Sequence, residues 1–194
     1  MGMMWRREAT CRSGVALLAA TLGLAVRISH AALEEVSKLV ASDAARFDEF
    51  GWSVALSGDY ALVGAPDDDI AGHDGGSAYV FVRSGTSWSQ QAKLVASDGG
   101  SSDNFGFSVA LSGDYALVGA PNTRSPRPAY VFLRNGTSWS QQAKLVASDG
   151  AIYDRFGYSV ALSGDYALVG ARYDGGDTNT NSGSAYVFFR DGTS

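Results

Sequence analysis

Two loops of this chain concentrate the oxygen-bearing side chains that hold a hard divalent cation. The first loop, residues 66–76, reads PDDDIAGHDGG and carries carboxylates at Asp67, Asp69 and Asp74. The second loop, residues 172–183, reads RYDGGDTNTNSG, and its oxygen donors are Asp174, Asp177, Asn179 and Asn181. Calcium takes about six to eight oxygens from carboxylates, amides and backbone carbonyls on flexible loops. Both loops therefore predict a calcium (Ca²⁺) site.

Neither loop is a complete calcium motif. The series that begins at Asp177 matches the opening of a D-x-[DN]-x-[DN]-G loop, but Ser182 replaces the glycine and Ala185 replaces a later acid. In the first loop, Ala71 interrupts the alternate spacing of the acids. Because Asp, Asn and Gly also dominate ordinary turns, the alternative is a solvated loop without a ligand. The corresponding loop at residues 121–128 has two arginines and no acid, so no cation is expected there.

No combination of residues predicts catalysis. His73 is the one histidine after residue 31, and a lone histidine has no partner with which to form a triad. A glycosidase needs two carboxyl groups in one pocket, whereas the acids here lie in repeated turns. We therefore expect that the protein is not an enzyme.

A second set of acids recurs with a constant five-residue spacing before each Phe-Gly pair. Its members are Asp43 and Asp48, Asp98 and Asp103, and Asp149 and Asp154. Because the pair is present in every repeat, a structural role in a turn is favoured over a site.

Two other features have both a functional and a structural interpretation. Asn135-Gly136-Thr137 is an N-glycosylation sequon at a predicted hairpin tip, which would make the protein a glycoprotein on a eukaryotic secretory route. The turn alone also explains the Asn-Gly pair. Trp88 and Trp139 each stand at the start of the fourth predicted strand of their unit, where packing is favoured over stacking on a sugar.

Three near-copies of one unit position all these residues. The string KLVASD begins at residues 38, 93 and 144, and VALSGDYALVGA begins at residues 54, 109 and 160. Each copy of the longer string is preceded by Phe-Gly and followed by AYVF. The spacing is that of four-stranded β-propeller blades rather than of helical repeats.

Each unit predicts four antiparallel strands. In the first unit they cover 50–57, 60–65, 77–83 and 88–97. The first strand alternates bulky residues with small uncharged ones, which indicates a sheet packed on both faces. The expected fold class is all-β, with three blades of the propeller type.

The N-terminal segment has the pattern of a secretory signal. Arginines precede an apolar run over 15–26, and the small residues Ser29 and Ala31 mark a cut after residue 31. The run is shorter than the about 20 residues of a membrane span. We therefore predict a signal peptide at 1–31 and a linker at 32–37, with an uncleaved anchor as the alternative, and a secreted or cell-surface protein with no membrane span after cleavage.

The charge balance limits the class of partner that we expect, and the cysteine content limits the cross-links. After residue 31 the chain carries 11 basic and 19 acidic residues, since four of its 15 basic and one of its 20 acidic residues lie in the leader. A protein without a basic face is not expected to bind nucleic acid. Cys11 is the single cysteine and lies within the leader, so no disulfide is expected.

In the first two units, Phe-Gly precedes the string VALSGDYALV and Gly-Ala-Pro follows it. This pattern resembles the FG-GAP repeat, and the sequence is most similar to the microbial subgroup of that family. The resemblance covers 38–194. The third unit departs from it, because Arg172 stands where Pro66 and Pro121 stand in the others. The family includes the blades of the integrin α-chain propeller and of many bacterial and algal surface proteins. The resemblance implies an extracellular adhesion or recognition protein, sometimes with calcium in the loop after Gly-Ala-Pro, and names no ligand.

The domains are then the leader, the linker and repeats at 38–92, 93–143 and 144–194, the last without its fourth strand. Propellers have about four to eight blades, so three do not close a ring. We expect a fragment of a longer array. A homodimer that pools six blades and an open stack with uncovered apolar faces are the alternatives.

The function expected from these features is recognition or adhesion outside the cell, with a protein or glycan ligand bound by the variable loops at 66–76, 121–128 and 172–183. A structural scaffold of the surface or matrix is the second hypothesis. A part of a larger secreted hydrolase is the third.

Overall fold

The computed structural model describes residues 34–70, 73–121, 128–151, 153–175 and 181–192. These ranges contain eleven β-strands, all within one compact unit, Glu35–Ser194. None of the described residues is helical, so no described helix is available to span a bilayer. The predicted signal peptide and the first two residues of the linker lie outside the described residues.

The strands form three antiparallel sheets, one for each repeat. Sheet 1 has the order β1-β2-β3-β4, sheet 2 has β5-β6-β7-β8, and sheet 3 has β11-β10-β9. The strands of sheet 1 are β1 (Ser53–Ser57), β2 (Tyr60–Ala65), β3 (Ser77–Ser84) and β4 (Ser87–Leu94). Those of sheet 2 are β5 (Ser108–Ser112), β6 (Tyr115–Gly119), β7 (Ala129–Asn135) and β8 (Ser138–Leu145). Those of sheet 3 are β9 (Phe156–Ser163), β10 (Tyr166–Ala171) and β11 (Ser184–Phe189). The all-β fold class is thus confirmed, with three propeller-type blades.

Two strand ends of the first unit differ from the prediction by three residues. β1 begins at Ser53 rather than at residue 50, because Gly51 has a φ of 98° and the Trp52 amide donates to the Glu49 carbonyl, which makes a turn. β4 ends at Leu94 rather than at residue 97. The residues between β4 and β5 form turns that carry the chain from one sheet to the next.

Alternation along each strand gives every sheet two different apolar faces. We call the face of sheet 2 that bears Val109, Leu111, Ala116, Val118, Tyr130 and Phe132 its front face. The other face, with Ala110, Leu117, Ala129 and Val131, is its back face. The same names apply to the equivalent residues of sheets 1 and 3. Two-sided packing is the physical reason that the small-residue face carries no charge.

The sheets stack front to back. Leu62, Val80 and Leu94 on the back of sheet 1 share one buried cluster with the front face of sheet 2. Leu117 on the back of sheet 2 is likewise buried with Val169 on the front of sheet 3. Each Phe of the Phe-Gly pairs completes a front face by packing on two aromatic rings of its own sheet, as Phe105 does on Tyr130 at 5.5 Å and Phe132 at 5.9 Å.

The blades approach closely where the Gly-Ala-Pro glycine ends the second strand. A Cβ on Gly119 would overlap the carbonyl oxygen of Gly157 in the next repeat. Beside this contact the Ser108 hydroxyl donates to the same carbonyl, at 2.7 Å. Gly64 and Ser53 meet the carbonyl of Gly106 in the same way. The glycine is therefore required by inter-blade packing.

Candidate functional site

The first acidic loop, residues 66–76, joins β2 to β3 and is held at its base by backbone hydrogen bonds. The Asp68 amide donates to the Ala65 carbonyl at 3.3 Å, and the Gly76 amide donates to the Asp68 carbonyl at 2.8 Å. Residues 71 and 72 lie outside the described residues. The base of the loop is thus fixed to the two strands that it connects.

The turn that precedes the second Phe-Gly pair holds the far side of this loop. The Ser102 amide donates to the His73 carbonyl at 2.8 Å, and the Asn104 amide donates to the Asp74 carbonyl at 3.1 Å. The Phe105 amide donates to the Gly75 carbonyl, also at 3.1 Å. Three backbone contacts from the next repeat therefore set the conformation of residues 73–75.

This arrangement brings Asp69, His73 and Asp74 together. One oxygen or nitrogen ligand atom from each lies within 4.8 Å of the others. The Asp74 amide donates to Asp69 Oδ1 at 3.0 Å, and His73 Nδ1 lies 2.9 Å from Asp74 Oδ2. The hydrogen bond to Asp74 raises the pKa of His73 above its ordinary value. The cluster combines two carboxylates and an imidazole at an exposed position, which is a donor set for a divalent cation.

Asp67 lies beside this cluster and is turned toward the next repeat. Asn104 Nδ2 donates to Asp67 Oδ1 at 3.1 Å and to the Pro66 carbonyl at 3.3 Å. Burial and the nearby charge of Asp74 raise the pKa of Asp67. The three acids predicted from the first loop are therefore near one another, with Asp69 and Asp74 in direct proximity.

The predicted donors of the third repeat are placed differently. Asp174 is buried, and its Oδ2 accepts a hydrogen bond from the Tyr186 hydroxyl. Asn181 is exposed and has a φ of 51°. Asp177 and Asn179 lie outside the described residues, as do residues 122–127 of the middle loop. Among the described residues, the predicted acidic ligands that lie close together are therefore those of the first loop.

The recurring pair of acids before each Phe-Gly has two structural duties. The second member closes a turn by accepting from a backbone amide three residues earlier, as Asp48 does from Ala45 at 2.6 Å. Asp103 and Asp154 make the equivalent bond. The first member accepts from a tyrosine hydroxyl in the third strand of its own repeat, at 2.9 Å for Asp43 and Tyr79. These contacts tie the inter-blade turns to the sheets.

The lysine of KLVASD completes this network, a role that the sequence pattern alone did not reveal. Lys93 Nζ lies 2.6 Å from Asp43 and 2.7 Å from Asp68. Both carboxylates are also within hydrogen-bond distance of the Tyr79 hydroxyl, at 2.9 Å and 2.7 Å. Burial alone would raise the pKa of Asp68, but the bonds from Lys93, Ser77 and Tyr79 outweigh it, so its pKa is lowered. Burial also raises the pKa of Tyr79 to about 12. The perturbed groups of this cluster therefore hold strands together.

The second repeat has the same lysine contact, with fewer partners among the described residues. Lys144 Nζ lies 2.6 Å from Asp98, and the Tyr130 hydroxyl donates to Asp98 at 2.9 Å. The recurrence of Lys and Asp in every copy of KLVASD is the sequence feature that could have indicated this pairing. Each lysine, however, pairs with the aspartate of the preceding copy, about one blade earlier in the chain.

The two tryptophans and the sequon also have defined places. Trp139 packs edge-on against Tyr60 of the preceding sheet, with ring centroids 6.4 Å apart, and its Nε1 donates to Gln91. Trp88 packs on the front face of sheet 1. Asn135 is exposed at the end of β7, on the hairpin that leads to β8.

A groove of about 470 Å³ lies between sheets 2 and 3. Tyr115, Leu162 and Phe188 contribute to its walls. Its position corresponds to that of Trp139 between sheets 1 and 2, because Tyr115 is the equivalent of Tyr60.

Comparison with known families is consistent with this architecture. A family model described as FG-GAP repeat matches residues 33–81, 88–132 and 139–188. A search of the curated proteins found no match. The three matches follow one another along the chain, as the three sheets do, and together they cover most of it. The protein therefore belongs to the FG-GAP repeat family.

Proposed function

We propose that this protein is an extracellular binding module that recognises a protein or glycan through the loops between the second and third strands of its blades. One observation carries the proposal. The loop at 66–76 presents Asp69, His73 and Asp74 at an exposed position, while backbone bonds from the next repeat fix the backbone of residues 73–75. An exposed, chemically distinctive loop on a rigid frame is typical of binding sites.

The difference between loops and strands supports the same proposal. VALSGDYALVGA is identical in all three repeats, whereas the loops at 66–76, 121–128 and 172–183 differ in length and charge. The identical strands supply the packing faces described above. The contacts that distinguish one ligand from another therefore reside in the loops.

Binding without catalysis is the activity that we propose. Lys93, Asp43 and Tyr79 have displaced pKa values and would otherwise be candidates for acid–base chemistry. Their contacts instead join β3, β4 and the segment before β1. A structural network accounts for their perturbation.

We further propose that calcium stabilises the first loop through Asp67, Asp69 and Asp74. The carboxylates suit calcium. Burial is the main cause of the raised pKa of Asp67, and the nearby charge of Asp74, which a cation would offset, adds to it. A bound cation would neutralise these acids and stabilise the loop. The support is confined to this loop, since Asp174 in the third repeat is engaged with Tyr186.

The calcium proposal is tested by thermal unfolding in calcium and in chelator. We expect a higher Tm in calcium for the wild type and no calcium-dependent shift for Asp69→Asn. Asp59→Asn is the matched control, because Asp59 is also exposed but lies in the β1–β2 hairpin, where it pairs with Arg83. Equal melting curves in calcium and chelator for the wild type would refute calcium binding.

The binding proposal is tested by applying the secreted protein to glycan and protein arrays. A variant in which residues 67–74 are replaced by a Gly/Ser segment of equal length should lose its ligand. The control replaces the Ser84-Gly85 turn by Asp-Gly, the residues at the equivalent positions of the third repeat. Equal binding by the loop variant, or hydrolysis of an arrayed glycan by the wild type, would contradict the proposal.

Export of the protein is a separate part of the proposal. The leader pattern at 1–31 supports it, as does the family, whose members include surface proteins. N-terminal sequencing of protein collected from the culture medium should begin at Ala32. Retention of the protein in the cell with residues 1–31 intact would contradict it.

A further inference from the structure

The two ends of the blade stack expose apolar residues whose equivalents are buried inside it. On the front of sheet 1, Val54 is 69% exposed and Leu56 is 72% exposed, whereas their equivalents in sheet 2 are each 9% exposed. On the back of sheet 3, Leu168 is 44% exposed and Val187 is 67% exposed. Their equivalents in sheet 1, Leu62 and Val80, have no exposure. Leu39, Ala41 and Phe50 cover part of the front of sheet 1, where Ala61 and Val63 are buried. The rest of that face and the back of sheet 3 remain open among the described residues.

The chain itself shows what fits each of these faces. A back face of this composition covers the front of sheet 2, and a front face of this composition covers the back of sheet 2. The residues at the two open ends are nearly the same as those at the two internal junctions, because the repeats are nearly identical. The open front of sheet 1 is therefore complementary to the open back of sheet 3.

The polar groups that form contacts at the internal junctions have equivalents at the two open ends. Ser53 and Ser108 each donate to a glycine carbonyl of the following repeat at 2.7 Å. Ser159 is the equivalent donor on the back of sheet 3, and Gly51 bears the equivalent carbonyl before sheet 1. Across the internal junctions, an arginine guanidinium also lies over the tyrosine that begins the second strand, as Arg134 does over Tyr60 at 4.5 Å. Arg83 and Tyr166 are the corresponding residues at the two ends.

The lysine that begins each KLVASD string provides the most specific match between the two open ends. Lys93 and Lys144 each lie in a fourth strand, pair with a third strand, and reach an aspartate that the third-strand tyrosine also contacts. Lys38 is the third copy of this lysine, and it is exposed ahead of sheet 1. At the other end, Asp149 accepts a hydrogen bond from the Tyr186 hydroxyl at 2.8 Å, as Asp98 does from Tyr130.

The open edge of sheet 3 lies beside this aspartate. β11 pairs with β10 on one side, and the structure describes no strand on its other side. In sheet 1 the equivalent edge of β3 pairs with β4, with Tyr79 opposite Lys93 and Ala78 opposite Leu94. A strand in this register along β11 would place a lysine opposite Tyr186 and a leucine opposite Ala185. Lys38 and Leu39 have that order.

We propose that two copies of this chain associate head to tail, with the back of sheet 3 in one copy covering the front of sheet 1 in the other. Residues 36–39 of the second copy extend sheet 3 along β11, and Lys38 pairs with Asp149. Two such junctions join six blades in a ring, a number within the range of about four to eight that closed propellers use. This association is independent of the loops proposed to bind a ligand.

The oligomeric state of the secreted protein tests the proposal. Sedimentation velocity and light scattering on the wild type should give twice the mass of one chain over a wide range of concentration. Val187→Glu should give a monomer with unchanged far-ultraviolet circular dichroism, because an exposed substitution perturbs the isolated chain little. A monomeric wild type, or an open polymer without a closed dimer, would overturn the proposal.

Charge reversal tests the register of the junction. Lys38→Glu should raise the Kd of the dimer about a hundredfold, because both junctions of the ring are disrupted. Asp149→Lys should do the same. An equimolar mixture of these two variants should restore the dimer, since each junction then unites opposite charges. Lys144→Glu is the control, because Lys144 pairs with Asp98 within one chain and should affect stability alone.

The mixture is decisive because a general effect on folding cannot produce rescue. A dimer that persists in both single variants, or a mixture that remains monomeric, would overturn the Lys38–Asp149 pairing. A mass of two chains for the wild type, monomers for the single variants and a dimer for the mixture would together establish it.

Discussion

Replacing Lys93 by methionine keeps most of the volume of the side chain and removes the ammonium group that joins two carboxylates in the first blade. Asp68 is 6% exposed, and Asp43 and Tyr79 share its hydrogen-bond network. Without Lys93, two acids would converge on one tyrosine hydroxyl, and one of them, Asp68, would be a buried carboxylate without its cation. The variant should therefore unfold more easily than the wild type.

The structure sets the size of this effect. At the 2.7 Å separation of Lys93 and Asp68, the gross Coulomb attraction is about 6 kcal/mol for an effective dielectric constant of about 20. Desolvation offsets much of it, and loss of one partner of a buried pair costs about 3–5 kcal/mol. The Lys93 side chain retains 18% exposure, so we expect the lower end of this range, about 3 kcal/mol.

Lys144→Met is the matched comparison within the same molecule. Its aspartate partner, Asp98, is 48% exposed, and Lys144 itself is 42% exposed. A surface pair of this kind contributes about 0.5 kcal/mol. The lysines occupy the same position in the repeat, so the difference of about 2.5 kcal/mol isolates the contribution of burial and of the second acid.

Equilibrium unfolding in urea measures both variants. The free energy of unfolding in water should fall by about 3 kcal/mol for Lys93→Met and by less than about 1 kcal/mol for Lys144→Met, with similar slopes. Equal losses in the two variants, or no loss in Lys93→Met, would refute the assignment of Lys93 to a buried network.

Three further predictions follow from the same contacts. The hydrogen bond from Lys93 lowers the pKa of Asp43, and that from Lys144 lowers the pKa of Asp98. The stability that these two acids contribute is therefore present above pH about 4 and is lost as the pH falls through their folded pKa values. Acid titration of the unfolding free energy should show this decline, and a flat profile would contradict it. Gly119→Ala should cost about 3 kcal/mol or more in thermal unfolding, because its Cβ meets a backbone carbonyl, whereas Gly113→Ala, in an open turn with a φ of 56°, should cost about 1 kcal/mol; similar Tm values would contradict this. Expression through a eukaryotic secretory route should add an N-glycan at Asn135 that a glycosidase removes with a shift in mass, and an unshifted band would show that the sequon serves only the turn.

Much of the fold was predictable because each repeat encodes it locally. Alternating bulky and small residues predicted sheets packed on both faces, and Gly-Asp between the first two strands predicted a tight hairpin. β2 matches its predicted range, Tyr60–Ala65, and β3 extends only one residue beyond it. The start of β1 was placed too early, since the alternation at residues 50–52 continues through a turn that Gly51 makes. Side-chain pattern alone does not distinguish that turn from a strand.

The candidate site was only partly predictable. The acids of the first loop could be found from their type and spacing. His73 was set aside because a lone histidine forms no catalytic triad, yet its side chain lies in one cluster with those of Asp69 and Asp74. Asn104 carried no signal, because it reaches Asp67 from the next repeat. Asp174 has the same residue type as the other acids of its loop, but its burial against Tyr186 depends on the packing of β11.

The sequence by itself determined that this protein is built from three stacked all-β units, because strand period, hairpin residues and repeat spacing are local properties of the chain. Only the tertiary structure decided which residues meet across about 50 positions, as Lys93 meets Asp43. It also showed that internal faces are covered while Val54 and Val187 at the two ends are not. Identical strings have different environments because burial depends on the neighbouring layer, and local sequence does not contain that layer.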